Sequence, residues 1–150
     1  MRVLLHTPLK SPDHPVPSGD REMARGFRRL LLGLGHTVVA PILSQALPGV
    51  PPADTHLAAQ RRARAQAGRL IARWRALPAR HPERFDLWFT YHCYYRKPDW
   101  LGPIVAPALG VPYVIADRGG GRPVTVQGAG GPVPVQVEGE LPDWAKVLLR

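Results

Sequence analysis

Two stretches of this 150-residue chain gather side chains able to handle a polar ligand. The first is Pro17-Ser18-Gly19-Asp20, which closes a proline-rich run starting near Thr7 and leads into a helical pattern. The first N–H groups of a helix have no partner within it and carry the positive end of its dipole. A glycine there lets a ligand approach the backbone, so the segment suits a phosphate or a sugar hydroxyl. The plainer reading is a capped helix start after a turn. Neither Gly-x-Gly-x-x-Gly nor a Gly-Lys-Ser/Thr ending is present, which excludes the dinucleotide and P-loop fingerprints.

The second stretch is "TYHCYYRKPDW", residues 90–100. His92 follows an apolar run and stands among Tyr91, Tyr94 and Tyr95, with Arg96 and Lys97 next. Aromatic faces stack on sugars or bases, and an imidazole bonds a hydroxyl or moves a proton. Arg96 and Lys97 would pair with an anionic group. A locally bonded histidine beside tyrosines that plug the end of a sheet is the alternative. Cys93 would need an activating base, and adjacency to His92 does not bring the two side chains together. The triple glycine at 119–121 would serve a phosphate loop or a linker. No metal-ligand spacing is evident among the histidines.

The elements that must position these residues follow from hydrophobic periodicity. "RVLLH" (2–6) reads as a buried strand, and residues 7–19 as a loop. Residues 20–35 read as an amphipathic helix with Met23, Phe27, Leu30, Leu31 and Leu34 on its apolar stripe. Ser18 or Asp20 would cap its start, and Gly35 would end it. "HTVVAPI" (36–42) is a second strand, and "LPGVPPAD" (47–54) a loop. Residues 55–81 carry the longest helical signal, with Leu70, Ile71, Trp74 and Leu77 on one side. "FDLWFTYH" (85–92) is a third strand, 98–110 a short helix containing Pro103 and Pro107, and "VPYVIA" (111–116) a fourth strand. Short strands that are apolar throughout, alternating with helices, predict an α/β fold: a doubly wound, mainly parallel, Rossmann-like sheet over residues 1–116.

Composition changes after Ala116. Residues 117–150 are rich in Gly, Pro and Val, an atypical tail. Valines alternate around "GAGG", which predicts a hairpin whose second arm is confined to an edge by Pro132 and Pro134. "LPDWAKVLLR" reads as a short terminal helix.

The net charge is +9, and arginine dominates, with Lys10, Lys97 and Lys146 the only lysines. Such a balance fits nucleic acid, an anionic membrane surface or an acidic substrate, and equally a coding bias toward arginine. The helix over 55–81 carries Arg61, Arg62, Arg64, Arg69, Arg73 and Arg75. It would lie on anionic lipid or a phosphate backbone, or simply face solvent. No helix-turn-helix, zinc-finger or RNA-binding strand motif supports nucleic acid. Cys93 is the single cysteine, so internal disulfides are not expected, in keeping with a cytoplasmic location, peripheral to a membrane at most. Prolines and glycines interrupt the uncharged run 30–53, which is not expected to span a bilayer.

Taken in order, "RVLLHTPLKSPDHPVPSGDREMARGFRRLLLGLGHTVV" and "DLWFTYHCYYRKPDWLGPIVAPALGVPYVIA" resemble the N-terminal domain of family-4-type glycosyltransferases. These are retaining enzymes with two Rossmann-like halves facing across a cleft. The resemblance covers roughly residues 1–116 and rests on the strand, glycine loop, helix and "GHTVV" opening, together with "LGVPYVIA". It implies hexosyl transfer from a nucleotide-sugar to a hydroxyl acceptor, with no redox cofactor. It implies that Ser18 and Gly19 stand at the glycine-containing loop that approaches donor phosphates and acceptor. It also implies that His92 is the nearest match to a histidine close to the transferred sugar, one residue further along than the family spacing. Where many members carry another histidine after the fourth strand, this chain has Asp117 and Arg118. The family holds its nucleotide-sugar mainly through a C-terminal domain with a pair of glutamates and basic residues. The composition change near Asp117 leads us to expect a truncated or frameshifted product that is inactive alone. The alternative is a non-catalytic basic α/β module holding an anionic partner.

Overall fold

A computed structural model describes residues 1–39, 53–91, 99–116, 124–128 and 131–135, the backbone only for 53–60 and for the last two segments. The element order is β1 (Arg2–His6), α1 (Gly19–Gly33), β2 (Thr37–Val39), α2 (Ala53–Ala76), β3 (Leu87–Tyr91), α3 (Gly102–Leu109), β4 (Tyr113–Ala116), β5 (Val124–Gly128) and β6 (Gly131–Val135). The strands form one sheet in the order β2-β1-β3-β4-β5-β6. The first four are mutually parallel, as expected for an α/β fold with covered faces. The β5–β6 hairpin then extends the sheet antiparallel to β4, and β6 with its two prolines occupies the edge.

Side-chain alternation sorts the core into two layers. Val3, Leu5, Leu87, Phe89, Tyr91, Val114 and Ala116 face α1, where Ala24, Phe27 and Leu31 meet them. Leu4, Trp88 and Tyr113 face the opposite way, onto Ala63 and Ala67 of α2 and Leu101, Val105 and Ala106 of α3. All five residues of β3 are buried, as befits a central strand covered on both sides. Leu70, Ile71 and Trp74 pack beside the alanines as their spacing predicts, while Ala63 and Ala67 allow the close approach of α2.

Helix boundaries follow local chemistry. Ser18, not Asp20, caps α1: its hydroxyl accepts from the Arg21 N–H at 3.2 Å. Gly35, at φ 75°, supplies the left-handed residue after the helix. One expectation fails here. Met23 lies outside the buried stripe and is 47% exposed, because the side of α1 that meets the sheet is centred on Ala24 and Leu31. Helix α3 is shorter than the sequence pattern implied. Its first turn follows a bend made by Asp99, and Gly110 ends it at φ 67°. The second strand is described to Val39; its continuation, most of the loop over 47–54, residues 117–123 and the terminal helix expected after Glu140 lie outside the described residues.

At the amino ends of the strands, Arg2 and Asp86 tie β1 to the approach of β3. The Arg2 guanidinium and backbone N–H both donate to the Asp86 carboxylate, each at 2.8 Å. The Arg2 side chain also reaches the carbonyls of Ala79 and His81. Hydrogen bonds from Arg2 hold the Asp86 carboxyl below its ordinary value of 3.8. The unfolded chain therefore takes up this proton first as pH falls. The contribution is fully present above pH 3.8 and is lost as pH drops through the folded value. The pair is partly exposed, so it contributes at most about 1 kcal/mol. Thermal melts of Asp86→Asn and wild type from pH 7 to pH 2 are expected to converge at the acid end and separate above it.

Candidate functional site

Along the sheet, β1 is followed by β2 on one side and, after α2, by β3 on the other. The β1–β3 boundary is thus a switch point, where helices leave the two neighbouring strands toward opposite faces. In open α/β sheets such a boundary, beyond the carboxyl ends of the strands, is where ligands bind. The register pairs His6 of β1 with Thr90 of β3 at this boundary. Both point to the α2/α3 face, being in phase with Leu4 and Trp88.

Beneath them lies Asp99, 7% exposed, just ahead of α3. Its Oδ2 accepts from the Thr90 hydroxyl at 2.6 Å, the Trp88 indole N–H at 3.1 Å and the Tyr113 hydroxyl at 3.1 Å. Its Oδ1 accepts from the backbone N–H groups of Leu101 at 2.9 Å and Gly102 at 2.8 Å. His6 Nε2 stands 3.5 Å from the same Oδ1. The imidazole is 14% exposed and meets the Trp88 ring edge-on at 5.6 Å. Burial pushes the His6 pKa down, and the Asp99 charge opposes that shift without cancelling it. A buried carboxylate needs donors on every side. Here they come from β3, β4 and the first turn of α3, with His6 bringing β1 to the same group.

The loop between β1 and α1 is held by arginines of α1. Arg21, Arg25 and Arg28 recur at helical spacing on one side of α1. Arg21 donates to the carbonyls of His14 and Pro15, Arg25 to that of Pro12 at 2.7 Å, and Arg28 pairs with Asp13 at 2.9 Å. This fixes the loop leading to Ser18 and Gly19. Gly19 is exposed at the first position of α1 and adopts no positive φ. The glycine therefore serves no positive-φ need of the backbone there. Ser18 spends its hydroxyl on the cap.

Of the expected site residues, Ser18 and Gly19 therefore lie at the start of α1 after the first strand. His92, Arg96 and Lys97 lie outside the described residues, as do Cys93, Tyr94 and Tyr95. Sequence reasoning missed His6, Thr90, Tyr113 and the central role of Asp99. The available signal was parity: His6 ends the first strand, and Thr90 follows Trp88 by two on the third. Among the described residues there is no cluster of three His, Cys, Asp or Glu able to hold a metal, and no helix long and apolar enough to cross a membrane. The chain matches no known family model, no curated protein and no solved structure at a significant level.

Gly102 tests the closeness of this packing. A Cβ there would overlap the Asp99 carboxylate and the Tyr113 ring and crowd the Trp88 indole nitrogen. Gly102→Ala is expected to lower the urea midpoint, by about 1–3 kcal/mol of stability, as overpacking does. An unchanged midpoint would contradict the geometry. His6 gives a second test with a defined sign. The unfolded histidine takes its proton near 6.5 and the folded one only at lower pH. Stability should therefore be level above pH 6.5 and fall as pH drops from there toward the folded value. The wild-type-minus-His6→Phe difference in unfolding free energy should carry that slope, and a flat difference would refute it.

Proposed function

We propose that residues 1–116 form the acceptor-side half of a sugar-transfer cleft of the retaining, family-4 glycosyltransferase kind. The ligand would lie beyond the carboxyl ends of β1, β3 and β4. The reading is carried by one observation: a polar cluster built around Asp99, with His6 at its rim, stands at the switch point of a parallel sheet. The resemblance of the flanking segments supports it, and so does the exposed Gly19 at the start of α1. In this reading a nucleotide-sugar presents phosphate to the α1 N–H groups, and Ser18 keeps that helix start in place. His92, Arg96 and Lys97 follow β3 in the sequence and in this reading would complete the rim. Transfer of the hexose to a hydroxyl acceptor would need the second, facing half of such a cleft.

A second reading is favoured by the outer side of α2. Arg61, Arg62, Arg64 and Arg69 are exposed there and make no ion pair among the described residues. The arginines of α1, by contrast, are engaged with the loop. A non-catalytic module holding an anionic partner, a membrane surface before nucleic acid, would use this face.

Titration calorimetry with UDP-glucose and GDP-mannose separates the two. The first reading predicts saturable binding that Gly19→Val abolishes and that replacement of Arg61 and Arg62 by glutamine leaves unchanged. The second predicts no such binding. It predicts instead association with anionic vesicles that falls steeply with added salt and with the arginine replacements.

A further inference from the structure

Most of the polar atoms around Asp99 are used up within the cluster. The Thr90 hydroxyl donates to Asp99 and accepts from the Trp88 indole, and the Tyr113 hydroxyl donates to Asp99. The carboxylate itself collects five hydrogen bonds. One atom is different. His6 Nδ1 has no hydrogen-bond partner among the described residues, whereas Nε2 faces Asp99 Oδ1 at 3.5 Å.

We propose that His6 is a ligand-contacting residue, an imidazole that carries its proton on Nε2, the nitrogen 3.5 Å from Asp99 Oδ1, and whose Nδ1 accepts a hydrogen bond from a hydroxyl of the bound ligand. The identity of that ligand as a sugar rests on the transferase reading above; the state of the ring does not.

The ring state follows from electrostatics. A neutral imidazole has one donor and one acceptor nitrogen. The nitrogen nearest a carboxylate oxygen must be the donor, since two acceptors facing one another would repel. That assigns the proton to Nε2 and the open lone pair to Nδ1. Burial, which holds the His6 pKa below the ordinary value, keeps the ring neutral at neutral pH. The titratable groups of the described cluster are Asp99, just ahead of α3, and Tyr113, which opens β4.

This sets a chemical preference at His6. A neutral acceptor nitrogen repels the oxygens of a phosphate and accepts from an O–H. The helix start at Gly19 does the reverse, offering N–H donors and a positive dipole end. A ligand carrying both a phosphate and free hydroxyls would therefore be oriented, its hydroxyl-bearing end toward His6. Asp99 is a positioning residue in this arrangement: it fixes the ring without reaching the ligand.

The experiment is long-range ¹H–¹⁵N NMR on the full 150-residue chain, ¹⁵N-labelled at histidine, first free and then titrated with UDP-glucose and with methyl α-glucoside. At neutral pH, His6 is expected to show a protonated Nε2 and an unprotonated Nδ1. The Nδ1 signal should shift saturably as sugar is added, while Nε2 stays in place. A merely structural histidine would show no ligand-dependent shift at Nδ1. His6→Phe should weaken binding by about 2- to 10-fold, the loss of one neutral hydrogen bond. An Nδ1–H tautomer or a charged ring at neutral pH overturns the proposal without any ligand. Saturation seen at the amides of α1 with Nδ1 unmoved overturns it while sparing the transferase reading. Absence of binding by either sugar removes that reading and the sugar contact together, even if the tautomer is as stated.

Discussion

A carboxylate withdrawn from water has to be met by donors from several directions, and the donors that meet Asp99 belong to segments far apart in the chain. Trp88 and Thr90 come from β3, Tyr113 from β4, and Leu101 and Gly102 from the turn that opens α3. Removing one partner of such a set leaves a buried polar group unmet, which costs far more than the net worth of one hydrogen bond. The arrangement thus acts as a constraint. It fixes where α3 begins, how closely α3 approaches the sheet, and how β3 and the start of β4 sit relative to one another. Gly102 is part of the same constraint, because the space a side chain would take is already filled by the cluster. His6 is drawn in from β1 at the rim, and the site inherits its geometry from the core beneath.

Charge is arranged with comparable economy. The chain is strongly basic, yet its arginines have different uses. Those of α1 turn back on the proline-rich loop and hold its carbonyls and Asp13. Arg2 ties the amino ends of β1 and β3. Arg84 lies over the Trp74 ring at 4.1 Å and caps Leu77 at the end of α2. The arginines of α2 that remain exposed form the patch on which the anionic-partner reading depends. Net charge alone could not separate these roles, since it counts a loop-fastening guanidinium and a free one alike.

Much of the layout was legible from periodicity. The apolar strands announced a parallel sheet, Ser18 and Gly35 announced the limits of α1, and Pro132 with Pro134 announced an edge strand. What the pattern could not show is distance across the sheet. Asp99 reads along the chain as a helix-start residue, and it does bond the first N–H groups of α3. That Trp88, Thr90 and Tyr113 also converge on it depends on the register of two parallel strands, β3 and β4, which no local signal sets. Met23 misled because it shares helical spacing with Phe27 and Leu30, whereas the smaller Ala24 sits where α1 presses closest on the sheet. His92, Arg96 and Lys97 stood out by residue type, and His6 did not, because a histidine ending a strand looks like a strand residue until its neighbour is known.

The central claim is that the Asp99 carboxylate is locked by its donors in the folded chain, and native-state hydrogen exchange reads it most directly. The Leu101 and Gly102 amides and the Trp88 indole N–H should exchange only through global unfolding, matching the core amides of β3. Exchange of these three protons through local opening, orders of magnitude faster than the β3 amides, would contradict the account.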